Sequence, residues 1–439
     1  MTEAVLIDVF NLKLNSEDGS FRKSLLNVLD FADRNYGTST QLVYVMCCQS
    51  LLCERNGIHK DILTKSLDNC KALKRGFQVV WNSSMAAMLY SIKQQLDEKD
   101  VSIVRIILPK SKKSSMQVFV DHLFTTAYQL EYKVFDPICD EDDIHEATAL
   151  QSGYPSELQL QHIKSDIATF LGSLPGLKGD LAILKSPLIS DSHFIHGFST
   201  RAGGISYIKT LSSLNLFSSS SRKDPKSVVG ENLRRLAKLA GFNPDSYRSV
   251  KVDHGNQVWI VGKPEPDSYD GIVTNRKGVT IAAPGADCIP ILFSDPVKKV
   301  CGAAHSGWKG TLLGVAMATV NAMVTEFGCR MDDIVVVMGP SVGPCCFTLP
   351  LEAAKEFQAL DPRCVRQFDL PRPYIDIRKA TRVLLERGGI QPQNIQDDSV
   401  IDQSRNLTFC TACHPEMFFS HVRDGINFGT QIGFISIKD

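Results

Sequence analysis

The sequence predicts an α/β protein of two domains: a smaller α/β domain over residues 1–175 and a larger, layered α/β domain over residues 176–439. Three observations predict it. The 439 residues exceed what one hydrophobic core usually serves. Short β-branched or aromatic runs alternate with longer stretches of helical spacing. Finally, Ser173-Leu174-Pro175-Gly176 puts a stop signal behind the helix-like segment Glu157–Leu171, and the texture changes beyond it.

In the first domain, Ala4–Val9, Gln41–Met46, Phe77–Trp81 and Val101–Leu108 read as strands. Met116–Phe135 reads as a helix, because Val118, Leu123, Tyr128 and Leu130 recur at roughly helical spacing. The acidic stretch Asp136–His145 reads as a solvated loop. His59, His122, His145 and His162 lie in polar surroundings with no paired spacing and read as surface histidines. Cys47-Cys48 ends an apolar run and reads as core packing. No catalytic constellation stands out here.

In the second domain, Val258–Val261, Val279–Ala283, Ile289–Phe293, Val300–Ala304 and Ile334–Met338 read as strands, and Leu312–Glu326 and Leu351–Phe357 as helices. Turns containing Gly and Pro punctuate them, which predicts layers with loops gathered at one mouth. Ser218–Arg222 reads as a short polar loop of this domain.

Composition narrows the function. Lys+Arg and Asp+Glu are both 48, so a large electrostatic footprint for nucleic acid is not expected and small-molecule chemistry is. No uncharged apolar stretch approaches the ~18 residues of a membrane span. The opening MTEAVLIDVFNLKLN has no basic n-region and carries Asp8 in its apolar run, unlike a signal peptide. Thirteen cysteines, an odd number without a framework spacing, are expected as free thiols in the cytoplasm.

Three turn-rich segments each offer one soft or borderline metal donor: His254 in Asp253-His254-Gly-Asn, Cys288 in Ala286-Asp-Cys288-Ile-Pro, and His305 in Ala304-His305-Ser-Gly-Trp-Lys-Gly. A catalytic zinc site takes three such protein donors. One thiolate and two neutral imidazoles would leave Zn²⁺ a net charge of +1, suited to an anionic co-substrate such as phosphate. Spacing alone does not single this set out: Cys288 as a packed core thiol and His305 as a structural loop histidine remain the alternative.

Those segments appear in order with His196-Gly-Phe-Ser-Thr-Arg201-Ala-Gly-Gly, Asp270-Gly-Ile-Val-Thr and Phe418-Phe-Ser-His-Val-Arg423. Together they resemble the purine nucleoside phosphorylase family long labelled laccase-domain or multicopper polyphenol oxidase. The resemblance runs from about Phe194 to Phe434; the first 175 residues fall outside the bacterial family's domain. It implies a layered α/β catalytic domain with zinc on His254, Cys288 and His305. It also implies phosphorolysis of adenosine, inosine, guanosine and methylthioadenosine to free base and (methylthio)ribose 1-phosphate, with deamination of adenosine to inosine in the same pocket. Gly-Thr-Gln at 429–431 departs from the bacterial Gly-Arg-Gln and removes a basic contact.

Further roles follow from residue chemistry. Arg201, a forked donor in a turn, suits phosphate, with a surface salt bridge as its alternative. Lys309 is a second phosphate candidate. Asp287, beside Cys288, suits a proton carrier or the orienter of a zinc histidine, or a structural carboxylate. Phe198 and Trp308 are candidates to cover a purine face, or simply pack. Cys410-Thr-Ala-Cys413-His414 matches a haem-attachment spacing but reads as a structural loop. Laccase chemistry itself is not expected. That family implies about ten histidines around its coppers, mostly in His-x-His pairs, whereas this chain has 10 in all and no such pair. Adventitious copper would still compete well for a nitrogen–sulfur site. The competing readings are a zinc hydrolase of another amide or amidine, and a structural-zinc scaffold presenting the first domain to protein partners.

Overall fold

A computed structural model describes residues 3–9, 27–28, 31–32, 42–48, 77–135, 155–397, 401–402, 407–408 and 410–438. The chain divides into two compact units, Met1–Leu174 with Ser218–Val228, and Pro175–Phe217 with Val229–Asp439. The Ser218–Val228 excursion thus belongs to the smaller unit, although its place in the sequence suggested the larger. Its side chains explain this. Lys223 pairs with Asp97 at 3.2 Å and Asp100 at 3.4 Å, and Ser227 donates to the His122 carbonyl.

In the smaller unit, β1 (Glu3–Asp8), β2 (Leu42–Cys48), β3 (Gln78–Asn82), β4 (Ile103–Pro109) and β5 (Gln129–Phe135) form a parallel sheet. Its order is β3-β2-β1-β4-β5. The near-continuous apolar runs of β1, β2 and β4 suit a parallel sheet, whose strands bury both faces. Helices α1 (Met85–Glu98), α2 (Lys113–Leu123) and α3 (Glu157–Ser173) accompany it, α3 starting in a reciprocal Ser156–Gln159 capping box. The helix expected over Met116–Phe135 divides: α2 ends at Leu123 and the rest pairs with β4 as strand β5. Gln129-Leu-Glu-Tyr-Lys-Val-Phe135 alternates with period two, and that pattern prevails over the helical spacing. Asp136–His145 and His59 lie outside the described residues.

In the larger unit, the two main sheets are built from β6 (Ile183–Leu184), β7 (Phe194–Ser199), β8 (Tyr247–Ser249), β9 (Val258–Ile260), β10 (Gly271–Thr274) and β11 (Thr280–Gly285). They continue with β12 (Ile289–Asp295), β13 (Val300–Ser306), β14 (Val335–Met338), β15 (Ile395–Gln396) and β16 (Gln431–Ile437). One mixed sheet has the order β15-β14-β12-β13-β10-β9 and the other β6-β7-β16-β11-β8. The helices are α4 (Lys226–Ala240), α5 (Trp308–Leu312), α6 (Val315–Phe327), α7 (Leu351–Leu360), α8 (Ile377–Arg387) and α9 (His421–Asp424).

Period-two alternation sorts the side chains into layers. Ile281, Ala283 and Ile435 of one sheet meet Ile272, Leu292, Ala303 and Val337 of the other in a shared core. On the far side of the six-stranded sheet, Ile289, Ile291 and Phe293 pack with Val320 of α6, Phe357 of α7 and Ala380 of α8. Behind the five-stranded sheet, Ala282, Ile432 and Phe434 pack with Leu236 and Ala237 of α4. The result is a helix–sheet–sheet–helix sandwich, the layered α/β architecture expected. The single helix expected over Leu312–Glu326 is split into α5 and α6 by Gly314, which takes φ +76.

Candidate metal centre

Sheet register brings the donors together. β12 and β13 pair with Pro290 opposite His305, and β10 and β13 with Gly271 opposite Ala304. The start of β12, the end of β13 and the start of β10 therefore share one edge. Cys288, His305 and Asp270 occupy those three positions, and the loop between β8 and β9 delivers His254. The ligating atoms of His254, Cys288 and His305 lie within 4.8 Å of one another. The two imidazole rings stand edge-on, 5.0 Å between centroids and 85° between planes. Gly307 makes room for this grouping. A Cβ there would lie 3.0 Å from His254 Cδ2 and 3.1 Å from Cys288 Sγ.

One carboxylate organises two of the three donors. The buried Asp270 accepts a hydrogen bond from His305 Nδ1 through Oδ1 at 2.7 Å, which leaves Nε2 to face the group. Its Oδ2 accepts the backbone amides of Asp253 at 3.1 Å and Gly255 at 2.9 Å, the two neighbours of His254. Those bonds hold a loop in which His254 has φ +65, a left-handed conformation that a non-glycine residue adopts at some cost. Asp287, next to Cys288, is also at positive φ, +91. Strained backbone thus flanks both loop-borne donors.

The electrostatics suit metal ligation. Burial alone would raise the Cys288 thiol, but His305 and His254 bring it down from 9.0 to about 6. Burial alone would lower His305; the Cys288 thiolate and Asp270 raise it instead from 6.5 to about 9. Asp270 lies well below the usual carboxylate range against the effect of burial, because of its bonds with His305 and Asp253. The Cys288 and His305 shifts oppose each other across one contact: each group favours the charged form of the other. A cation replacing the His305 proton meets a ready thiolate and an oriented imidazole. Zinc fits this donor set: soft or borderline S and N ligands, a charge-bearing partner behind one histidine, and a glycine where any side chain would intrude.

Other expectations change. Arg201 is engaged by backbone carbonyls. It is buried at 4% exposure, and its guanidinium donates to the carbonyls of Ser212 (2.8 Å), Pro415 (2.7 Å), Phe418 (3.5 Å) and Lys209 (3.3 Å) while lying over the Phe419 ring. Phe198 does not face a ligand; it is 1% exposed, in the core between the sheets. Asp287 bonds to Thr411 and Val422 and not to the two metal-site histidines. Its Oδ1 accepts the Thr411 hydroxyl at 2.7 Å and its Oδ2 the Val422 amide at 2.6 Å. Trp308 is half-buried against the helical core, and Lys309 is exposed with Nζ 5.5 Å from the Trp308 ring centre. Sequence reasoning passed over Asp270 as a site residue, although a metal-binding histidine requires such a partner and Asp270 stands in a motif of the resemblance.

A family model described as multi-copper polyphenol oxidoreductase laccase matches residues 195–438. That span covers more than half of the chain and includes all three donors. The chain belongs to this family. Among its relatives, the human protein named purine nucleoside phosphorylase LACC1 is 55% identical over 439 residues, covering 100% of both chains. A protein named adenosine deaminase RL5, from an unknown prokaryotic organism, is 32% identical over 167 residues, 37% of this chain and 60% of the relative. The crystal structure of YlmD from Geobacillus stearothermophilus is similar with a TM-score of 0.51 and 28% identity, covering 58% of this chain and 94% of that one. Apart from Ser218–Val228, the residues matched by the family model belong to the larger unit.

Proposed function

We propose that the chain is a zinc-dependent purine nucleoside enzyme. It phosphorolyses adenosine, inosine, guanosine and methylthioadenosine to free base and (methylthio)ribose 1-phosphate, and deaminates adenosine to inosine. The observation that carries this reading is the His254–Cys288–His305 group with Asp270 behind it, inside the span of a family whose members include proteins named purine nucleoside phosphorylase and adenosine deaminase.

His254, Cys288 and His305 would hold the zinc ion, which would supply Lewis acidity there. The protein's share is positioning. Asp270 fixes the tautomer of His305 and, through the Asp253 and Gly255 amides, the loop of His254. Cys288 enters as a thiolate, so the centre keeps a net charge of +1 and favours an anion. Lys309, on the short helix that begins at Gly307, adds an exposed ammonium and takes the phosphate role in place of Arg201. Trp308 offers the exposed part of its indole to the purine.

The test uses purified, metal-analysed protein incubated with inosine and with adenosine, each with and without phosphate. Hypoxanthine and ribose 1-phosphate should form from inosine only with phosphate, and inosine from adenosine without it. Zinc-replete protein that converts neither nucleoside contradicts the proposal.

A further inference from the structure

A second set of donors stands apart from the His254–Cys288–His305 group. Cys345 and Cys346 lie in the loop after β14, and Cys410 and Cys413 in the segment before α9. Their four Sγ atoms lie within 4.8 Å of one another. Cys413 Sγ is 3.7 Å from Cys345 Sγ and 3.3 Å from Cys346 Sγ. A disulfide would need about 2.05 Å. A tetrahedron with Zn–S near 2.3 Å places its sulfurs about 3.7–3.8 Å apart.

Local structure explains why the thiols converge. Neighbouring side chains on a strand point to opposite faces, so Cys345 and Cys346 can share a site only in a tight turn. The turn is there: the amides of Cys346 and Phe347 both donate to the Gly343 carbonyl, each at 3.1 Å. Across from it, the amides of Cys413 and His414 donate to the Cys410 carbonyl at 3.1 and 3.2 Å, which winds Cys410-Thr-Ala-Cys413 into a single turn. The Gly343 amide donates to Cys410 Sγ at 3.2 Å, a bond that favours the thiolate. Four thiolates on Zn²⁺ carry a net charge of −2. Arg366, Arg378 and Lys379 share a cavity of about 290 Å³ with Cys345 and Cys410, outnumbering the Asp376 and Asp397 that also line it.

We propose that Cys345, Cys346, Cys410 and Cys413 bind one zinc ion as a closed, structural tetrathiolate centre. Four sulfur donors at tetrahedral spacing select zinc or iron, and a full set of protein ligands is the structural rather than the catalytic pattern. The centre ties together loops 67 residues apart in sequence. Thr411, between two of the thiols, holds Asp287 Oδ1, and the Val342 amide holds the Asp287 carbonyl at 3.0 Å. The tie therefore braces the backbone that presents Cys288. This inference does not depend on the nucleoside activity.

The experiment is metal analysis of the full chain purified under reducing conditions, beside Cys413→Ser and Cys288→Ser. The wild type should hold two zinc ions per chain and each variant one. Cobalt(II)-substituted Cys288→Ser should retain the intense thiolate-to-metal charge-transfer band of a four-sulfur site. If Cys413→Ser fails to fold, the native chain still decides. The four thiols should resist alkylation, followed peptide by peptide, until a chelator removes the metal. One zinc in the wild type that disappears entirely in Cys288→Ser would overturn the proposal. So would iron in place of zinc, free alkylation of the four thiols in the native chain, or a Cys346–Cys413 disulfide.

Discussion

The two donor clusters of the larger unit are built on opposite plans. At His254, Cys288 and His305, three donors of two kinds come from a sheet edge and a neighbouring loop, and a buried carboxylate organises two of them. At Cys345, Cys346, Cys410 and Cys413, four donors of one kind come from two turns, and backbone amides support them. A mixed set of three leaves a metal room to take a substrate or water; four thiolates close it off. On the proposed function, the first cluster is the reacting side and the second the bracing side. Arg201 belongs to the bracing side, since it pins Pro415 and Phe418 on the segment that continues from Cys413.

The largest effect expected from this division is on stability. Arg201→Ala would take the guanidinium from the Ser212, Pro415 and Lys209 carbonyls, while Phe418 keeps Arg423, and should cost on the order of 3–5 kcal/mol, seen as a lower denaturant midpoint. The phosphate KM of the folded enzyme should stay unchanged. A strongly raised phosphate KM with normal stability would move Arg201 to the reacting side.

Asp270→Asn keeps the size of the side chain and removes its charge. Zinc affinity at the three-donor centre should fall about 10–100-fold in competition with a chromophoric chelator. The four-thiol centre should keep its metal. Equal loss at both would mean that Asp270 maintains the fold as a whole.

Lys309→Ala should raise the phosphate KM of inosine phosphorolysis about three- to tenfold. The effect is modest because an exposed ammonium is screened by water. Adenosine deamination, which uses water, should change little. Parallel loss of both reactions would assign Lys309 to the nucleoside.

The smallest effect concerns pH. Because the thiolate is the reactive form and the folded Cys288 titrates at about 6 rather than 9.0, alkylation of Cys288 in metal-free protein should be half-maximal near pH 6 and fall below it. A half-maximum near pH 9 would show that the histidines do not act on the thiol.

Legibility in the sequence followed physical cause. Ile289–Phe293 and Val300–Ala304 were readable as strands because they are apolar on both faces, and both lie within strands buried throughout. Helices α4 and α8 are absent from the sequence reading, although both are strongly amphipathic. The metal donors are far apart in the chain, so only resemblance singled them out before register placed them on one edge. The partners of Arg201 and Asp287 are not legible in the sequence for one reason. A motif shows that a polar group is present, but only tertiary structure shows which carbonyls, hydroxyls and amides satisfy it. Cys410-Thr-Ala-Cys413 was read as a structural loop, but its partners went unnoticed. The neighbouring thiols Cys345-Cys346 were the available signal, and a turn was needed to make them converge.

The most direct test of the central claim is zinc content and inosine phosphorolysis measured on the same preparations of wild type and Cys288→Ser. If the three-donor centre performs the chemistry, Cys288→Ser should lose one zinc per chain and fall to background turnover while its unfolding midpoint stays near wild type. Normal turnover by folded Cys288→Ser lacking that zinc would contradict the account.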